Sequence, residues 1–200
     1  MQLRAPAILL SARPQGETAV IARLLTAEYG LVAGYVAGGR GRTLRPVLIP
    51  GNLVDLQLSA RSDSQLPFAK VELVTSRGPY LGEPLPAAAI GWTCALTASV
   101  LPERQAYPSL HAALGGLLDA VCHAPSARGW LGALLGYETL LLRELGYGGE
   151  GGLPQGNLAD LLALMDTLAP QIDHYLLAES RADVMAARAR LRDLLGRMEQ

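Results

Sequence analysis

The stretch Pro50-Gly51-Asn52-Leu53-Val54-Asp55-Leu56-Gln57-Leu58 decides how the first part of the chain folds. It opens with three turn-forming residues, and two sets of side chains then alternate: Leu53, Asp55 and Gln57 in one set, Val54, Leu56 and Leu58 in the other. An alternation with a period of two is typical of a β-strand that buries one face and exposes the other. The stretch therefore predicts a strand that begins directly after a tight turn.

The segments around this stretch predict further short strands, separated by Gly, Pro and Asn residues that favour turns. We expect these strands at Ala7–Ser11, Thr18–Thr26, Leu31–Ala37, Val47–Ile49 and Ala69–Thr75. About five short antiparallel strands in fewer than 80 residues suit a small closed barrel, because closure leaves no sheet edge exposed.

The hydrophobic pattern changes to a helical period after Gly78-Pro79. It predicts helices at Pro84–Leu101, Ser109–His123, Ala127–Leu145, Leu158–Leu177 and Val184–Met198. Pro170 should kink or break the fourth of these helices, since proline lacks the backbone N–H group. The sequence thus predicts an α+β protein with a β-barrel domain over residues 1–78 and an α-helical domain over residues 79–200.

The two predicted domains carry opposite charge. Residues 1–78 hold nine basic and five acidic side chains, a net charge of +4, whereas residues 79–200 hold eight basic and thirteen acidic ones, a net charge of −5. A basic module followed by an acidic module indicates that the two bind different partners. Half of the 200 residues are hydrophobic, which excludes a disordered chain.

Localisation is indicated by the cysteines and by the apolar stretches. Two cysteines, Cys94 and Cys122, are too few for a disulfide scaffold, so a reducing compartment is expected. The start of the chain lacks the pattern of a signal peptide. Nineteen uncharged residues lie between Glu83 and Glu103, but they include Pro86 and Gly91 and are rich in Ala, Thr and Ser, so we expect a buried helix rather than a membrane span. We therefore predict a cytoplasmic protein.

The sequence contains no recognisable catalytic, metal or cofactor motif. Residues Gly146–Gly151 match the letters of a dinucleotide-binding loop, but they follow a predicted helix instead of a strand, so we interpret them as a helix C-cap and linker. The cysteines and histidines form no metal-ligand pair, and no nucleophile elbow or Walker loop is present. We predict that the protein is not an enzyme and binds no metal or cofactor.

The strongest positive feature is the loop Gly38-Gly39-Arg40-Gly41-Arg42-Thr43-Leu44-Arg45 between two predicted strands. Glycines allow the backbone to approach phosphates, and each guanidinium can bind two phosphate oxygens. We therefore predict that Arg40, Arg42 and Arg45 contact DNA; the alternative is a solvated hairpin tip. Weaker candidates on the same barrel are Arg4, Arg23, Arg61 and Lys70. Such binding would be mainly electrostatic and sensitive to salt.

Several motifs in this order resemble the RecO family of bacterial recombination mediators and DNA-repair proteins. The resemblance covers roughly residues 5–148. It is carried by Ala7-Ile8-Leu9-Leu10-Ser11-x-Arg13, Leu25-Thr26-x-Glu28-x-Gly30, Gly38-Gly39-Arg40, Pro50-Gly51-Asn52, Leu101-Pro102-Glu103-Arg104-x-x-Tyr107-Pro108 and Tyr137-Glu138-x-x-Leu141-Leu142-x-Glu144-Leu145-Gly146-Tyr147.

The resemblance implies an N-terminal OB-fold barrel and a C-terminal helical domain. It also implies binding of single- and double-stranded DNA, strand annealing, and help in loading recombinase onto coated single strands. The partners it implies are RecR and the acidic C-terminal tail of single-strand DNA-binding protein, with the protein acting at the nucleoid. Many members carry a cysteine-bearing, sometimes zinc-binding, insertion after the Leu-Gly-Tyr segment; this chain has no cysteine beyond Cys122.

An acidic tail with an apolar end needs a hydrophobic pocket beside cations, because an arginine stem can pack against apolar groups while its guanidinium binds a carboxylate. The candidates in the second domain are Arg104, Arg128 and Arg143. The alternative for each is a local ion pair with Glu103, Glu138 or Glu144. Two other functions remain open: a protein–protein adaptor whose OB-fold no longer binds DNA, and a small hydrolase.

Overall fold

A computed structural model describes residues 2–60, 62, 65–148, 152–178 and 184–198. The chain forms two compact units. The first contains Met1–Leu81 together with Leu101–His111, and the second contains Gly82–Val100 together with Ala112–Gln200. The segment Leu101–His111 thus lies with the barrel strands although it follows the first helix in sequence.

Five strands close into a barrel in the first unit, in the order β1-β2-β3-β5-β4. They are β1 (Gln2–Gln15), β2 (Ala19–Thr26), β3 (Gly30–Val36), β4 (Leu53–Ser59) and β5 (Phe68–Thr75). A five-stranded barrel followed by helices is the predicted OB-fold with a helical region, so the fold class is confirmed. The alternation that predicts β4 is also confirmed, since Val54, Leu56 and Leu58 are buried and Asp55 and Gln57 are partly exposed.

Barrel closure depends on β1, which is much longer than the predicted Ala7–Ser11. Its first half pairs with β4 from Gln2 to Ile8, and its second half pairs with β2 from Ala7 to Gln15. The register shifts by one residue between Leu9 and Ser11. A bulge of this kind bends a strand, which allows one strand to serve both sides of the barrel.

Two details of the predicted sheet are wrong. Residues Val47–Ile49 form turns and not a strand. The partly buried Val47 and the buried Leu48 pack against the barrel core, so their apolar character reflects this packing. In addition, the strands are not all antiparallel: β3 and β5 pair in parallel, with Tyr35 opposite Phe68 and the Tyr35 N–H group donating to the Pro67 carbonyl at 2.8 Å.

In the residues that the structure describes, five α-helices follow the barrel strands in sequence. They are α1 (Pro84–Val100), α2 (Pro108–His123), α3 (Leu131–Glu144), α4 (Leu158–Gln171) and α5 (Val184–Gly196). Pro170 lies at the end of α4, and the chain changes there to a π-helical turn over Ile172–Leu176, as expected where proline removes a backbone donor. A capping box of Asn157 and Asp160 begins α4.

A buried polar network links four elements of the helical unit. The Arg188 guanidinium of α5 donates two hydrogen bonds to the Glu138 carboxylate of α3, at 2.9 and 2.7 Å, and a third to the Met165 carbonyl of α4 at 2.8 Å. The Trp92 indole of α1 donates to the same carboxylate at 2.7 Å. The side chains of Arg188 and Glu138 are 3% and 1% exposed, so the ion pair fixes α5 against the other helices from inside the core.

The uncharged helix α1 behaves as a core element. Its central residues from Ala89 to Ala98 are buried except at Gly91 and Ala95. None of the helices in the described part of the chain combines the length and the apolar character that a membrane crossing requires.

Candidate nucleic-acid interface

The arginine-rich loop covers one end of the barrel. Its apolar side chains, Leu44 and Val47, are partly buried against the barrel core, together with the buried Leu48. Gly38 has a φ of 66°, in the left-handed region that favours glycine. Gly39 is fixed by packing, because a Cβ atom there would lie 2.8 Å from the Cβ of Val20. These two glycines therefore set the path of the loop over the core. The sequence alone predicts a different role for them, close approach of the backbone to phosphates.

The arginines of the loop point away from its apolar side. Arg40, Arg42 and Arg45 are all exposed. Arg40 donates to the Gly16 carbonyl at 3.1 Å, which links the loop to the β1–β2 turn, and Arg45 donates to the Arg40 carbonyl at 3.4 Å. Arg40 and Arg45 both line a cleft of about 190 Å³ whose other lining residues are Ala12, Pro14, Val20, Gly39 and Leu48. The loop thus exposes three guanidinium groups on a backbone held by hydrogen bonds, beside a cleft lined mainly by apolar residues.

Asn52 holds the base of this loop, a role that the sequence did not reveal. Its buried side-chain amide donates to the carbonyls of Pro46 and Val47 at 2.9 and 3.0 Å, and its carbonyl accepts from the Arg77 N–H group at 2.8 Å. The buried Arg77 guanidinium donates in turn to the Gly51 carbonyl. The motif Pro50-Gly51-Asn52 therefore contributes structure: it ties the end of the loop to the end of β5.

Arg4 and Lys70 lie on the outer face of the barrel, in one row across three strands. Gln57 of β4 stands opposite Arg4 of β1 and opposite Lys70 of β5. All three line a concavity of about 590 Å³. Arg4 binds Asp55 at 2.5 Å, and Lys70 binds Glu72 at 3.2 Å. The hydrogen bond from Arg4 lowers the pKa of the Asp55 carboxyl, so this partner stays charged at neutral pH.

The remaining barrel candidates differ from these. Arg23 on β2 forms an ion pair with Glu103 at 3.2 Å, within the first unit. The ion pair with Glu103 competes with any contact between Arg23 and phosphate. The residue after Glu103, Arg104, donates its backbone N–H group to the Leu31 carbonyl at 2.8 Å. Arg61 lies outside the described residues.

The three predicted partner-binding arginines fall in different places. Arg104 belongs to the first unit, whereas Arg128 and Arg143 belong to the second. Arg104 has a φ of 61°, and its side chain is exposed. Arg128 is exposed on a short 3₁₀ turn before α3. The expected local pairing is found for Arg143, which lies 3.6 Å from Glu144. Glu138 pairs with Arg188 and Glu103 pairs with Arg23 instead.

Arg143 also lines an apolar groove within the helical unit. The groove has a volume of about 360 Å³, and its lining residues include Leu117, Tyr137, Leu140 and Leu153. Leu153 is among the most exposed large apolar side chains in the described residues, at 70%. This is the combination of apolar wall and cation that an acidic peptide with an apolar end requires.

The segment that matches a dinucleotide-binding loop begins as a helix cap. Gly146 has a φ of 89°, its N–H group donates to the Arg143 carbonyl, and the Tyr147 N–H group donates to the Leu142 carbonyl. These two bonds form a Schellman motif, so the predicted C-cap is confirmed. Residues 149–151 of the segment lie outside the described residues. Among the residues that the structure describes, no three His, Cys, Asp or Glu side chains are grouped so that they could hold a metal ion.

Comparison with known proteins gives matches over both units. Residues 1–77 match the family model described as recombination protein O N terminal, and residues 84–150 match the model described as recombination protein O C terminal. The chain is 43% identical over 144 residues to the DNA repair protein RecO of Rhodospirillum centenum. It is 38% identical over 151 residues to that of Gluconacetobacter diazotrophicus and 39% identical over 149 residues to that of Dinoroseobacter shibae.

These alignments cover most of this chain but less of its relatives. They include 71, 74 and 74% of the chain, and 56, 59 and 61% of the three relatives in the same order. The chain thus matches somewhat more than half the length of the curated relatives.

Proposed function

The chain belongs to the RecO family of DNA repair proteins, and on that premise we propose that it is a recombination mediator without catalytic activity. In this role it binds single- and double-stranded DNA and anneals complementary strands. Together with RecR it helps load recombinase onto single strands coated with single-strand DNA-binding protein. It does so at the nucleoid, in the cytoplasm.

The observation that carries the DNA-binding proposal is the arginine loop on the end of the barrel. Its three exposed guanidiniums stand on a backbone anchored by Leu44, Val47 and Leu48 and braced by the bond from Arg40 to Gly16. An anchored loop loses little conformational entropy on binding, so more of the phosphate attraction contributes to affinity. Phosphate contacts carry no base information, which suits a protein that handles any sequence.

The same geometry supports annealing. Guanidiniums that hold phosphates leave the Watson–Crick edges of the bases free to pair with a second strand. Positive charge at the loop also reduces the repulsion between two phosphate backbones that must approach each other. Arg40, Arg42 and Arg45 are the main phosphate-binding residues in this proposal, and Arg4 and Lys70 add weaker contacts.

For the tail of single-strand DNA-binding protein, the apolar groove beside Arg143 offers the best fit in the helical unit. The apolar end of the tail would pack against Leu117, Leu140 and Leu153, and Arg143 would exchange its contact with Glu144 for a tail carboxylate. An exposed pair of this kind is worth about 1 kcal/mol or less, so the exchange costs little.

One observation favours the alternative of an adaptor that does not bind DNA. Arg4, Arg23 and Lys70 each have a carboxylate partner in the barrel unit. These carboxylates occupy cations that could otherwise bind phosphate. The two functions differ in whether the loop arginines bind phosphate.

The test is annealing of two complementary oligonucleotides, measured with and without a coat of single-strand DNA-binding protein. We expect the wild-type chain to accelerate annealing of both, and the variant Arg40→Ala/Arg42→Ala/Arg45→Ala to lose most of that acceleration. A wild-type chain that does not accelerate annealing would favour the adaptor.

The tail groove has its own test, fluorescence titration of the full chain with a labelled tail peptide. Arg143→Ala should weaken binding about tenfold, since a hydrogen bond to a charged partner contributes about 1.5 kcal/mol. Arg190→Ala, an exposed change on α5, is the control and should leave binding unchanged. Equal binding by the wild type and Arg143→Ala would place the tail elsewhere.

A further inference from the structure

Two aromatic rings meet on the outer face of the barrel, where β3 and β5 pair in parallel. Tyr35 of β3 and Phe68 of β5 are register partners, and their ring centroids lie 5.5 Å apart with an interplanar angle of 81°. Phe68 is 62% exposed, which is unusual for phenylalanine on a strand. The two rings are nearly perpendicular, a favourable arrangement for an aromatic pair, and the exposure of Phe68 leaves ring surface available to a ligand.

The rings belong to a continuous row that crosses the barrel strands. From Tyr35 the row runs through Ile21 of β2 to Arg13 of β1, and from Phe68 it runs through Ser59 of β4 to Gln2 of β1. Neighbouring strands lie about 4.8 Å apart, so Arg13 stands about 10 Å from Tyr35 along this row. Arg13 is exposed.

On the other side of the rings, a concavity brings Phe68 together with two more cations. Phe68, Arg4 and Lys70 line the same concavity of about 590 Å³, and the row Arg4–Gln57–Lys70 lies two residues along the strands from the row that contains Phe68. The aromatic pair thus has Arg13 on one side and Lys70 and Arg4 on the other. This is the arrangement of a site for a polyanion that carries flat apolar groups.

We propose that the Tyr35–Phe68 pair is a base-stacking subsite for single-stranded DNA, with Arg13 and the Lys70–Arg4 row binding the phosphates on its two sides. The proposal rests on the proposed DNA-binding function and deepens it. Base stacking on aromatic side chains accepts every base, because each has a π-face. The location agrees with the general behaviour of OB-folds, whose second and third strands and β4–β5 loop bind oligonucleotides.

The carboxylates on this face limit the contribution of the cations without removing it. Asp55 and Glu72 pair with Arg4 and Lys70, and all four groups lie at the surface. Exposed ion pairs are weak, so a phosphate can replace the carboxylate partner at little cost. Stacking therefore contributes the larger share at this subsite, and phosphate binding the larger share at the arginine loop.

The test compares an oligothymidine strand with an abasic strand of the same length, bound to the full chain and followed by fluorescence anisotropy. Phe68→Ala should weaken binding of oligothymidine by about 5-fold to 100-fold, the effect of removing a stacking aromatic. Binding of the abasic strand should not change, because its phosphates are the same. Phe68→Trp should restore or exceed the affinity of the wild type for oligothymidine.

Val74→Ala, which shortens another exposed apolar side chain of β5, is the matched control and should bind both strands as the wild type does. If Phe68→Ala binds oligothymidine as tightly as the wild type, the stacking subsite is wrong while the loop proposal stands. If Phe68→Ala weakens both strands equally, the residue acts through the structure of the barrel, and the subsite is again wrong. If the wild type binds neither strand, the proposed function itself fails, and the subsite with it.

Discussion

The barrel and the helical unit use arginine–carboxylate pairs in opposite ways. In the barrel, Arg4 and Asp55 are 66% and 28% exposed, whereas in the helical unit Arg188 and Glu138 are 3% and 1% exposed. A buried pair cannot exchange partners without leaving a charge in the core, and an exposed pair can. The barrel therefore keeps its cations available to a ligand, while the helical unit uses its central cation to position a helix.

The contrast also holds along a single helix. Arg188 and Arg192 lie one turn apart on α5, and each binds a carboxylate with two hydrogen bonds. The partner of Arg192 is Asp166 of α4, and this pair is 31% and 57% exposed. Burial, and not the geometry of the pair, decides how much the two contacts contribute to stability.

The largest effect is expected for the buried pair. Arg188→Leu should lower the free energy of unfolding by about 3–5 kcal/mol, because it leaves the Glu138 carboxylate buried without its cation. Urea unfolding measures this directly. Arg190→Leu on the exposed side of α5 should change stability by less than about 0.5 kcal/mol. A loss of less than 1 kcal/mol for Arg188→Leu would mean that the pair does not lie in a closed core.

A smaller loss is expected at the base of the arginine loop. Asn52→Ala should cost about 2 kcal/mol, because it removes the three hydrogen bonds that the buried Asn52 side chain makes with backbone groups of Pro46, Val47 and Arg77. It should also weaken DNA binding, although it removes no charge, since the loop loses its anchor. Asn157→Ala removes the N-cap of α4 and should cost about 1 kcal/mol without any effect on DNA affinity. Equal DNA affinities for the two variants would show that Asn52 does not position the loop.

The exposed pair on α5 should contribute little, and in a manner that depends on pH. The hydrogen bond from Arg192 lowers the pKa of the Asp166 carboxyl below its ordinary value of 3.8. The contribution of the pair is therefore complete above about pH 4 and is lost as the pH falls through the lowered value. Arg192→Ala should be destabilised by at most about 1 kcal/mol at pH 7, and the difference from the wild type should shrink in acid. A difference that grows as the pH falls would contradict this sign.

The patterns that the sequence shows most clearly are those set by local periodicity. The alternation after Asn52 predicts β4, and the helical periods predict all five helices. The fourth ends at Gln171 instead of the predicted Leu177, because the chain changes to a π-helical turn after Pro170. The helix C-cap predicted to begin at Gly146 is a signal of the same kind, and Gly146 has a positive φ. Such signals depend on neighbours in the sequence, so a single chain displays them.

Features set by distant contacts were missed. Val47 and Leu48 resemble strand residues because they are apolar. Their apolar character instead serves packing against the barrel core, a contact that the local sequence pattern does not show. The buried pair of Glu138 and Arg188 joins residues 50 positions apart, and each alone resembles an ordinary exposed charge. Likewise, Phe68 and Tyr35 meet through a single parallel pairing that leaves no periodic trace.

The central claim is that the barrel binds phosphate through Arg40, Arg42 and Arg45. Replacing these three arginines should change the free energy of unfolding less than any variant above and DNA affinity more. The measurement is the affinity for a single-stranded oligonucleotide over a range of salt concentrations, for the wild type and for Arg40→Ala/Arg42→Ala/Arg45→Ala. A second triple variant, Arg128→Ala/Arg190→Ala/Arg197→Ala, removes the same charge from exposed positions in the helical unit. We predict that the log–log salt slope becomes shallower by about 2 in the loop variant, about 0.7 per phosphate contact, and stays unchanged in the control. Equal slopes in all three proteins would contradict the account.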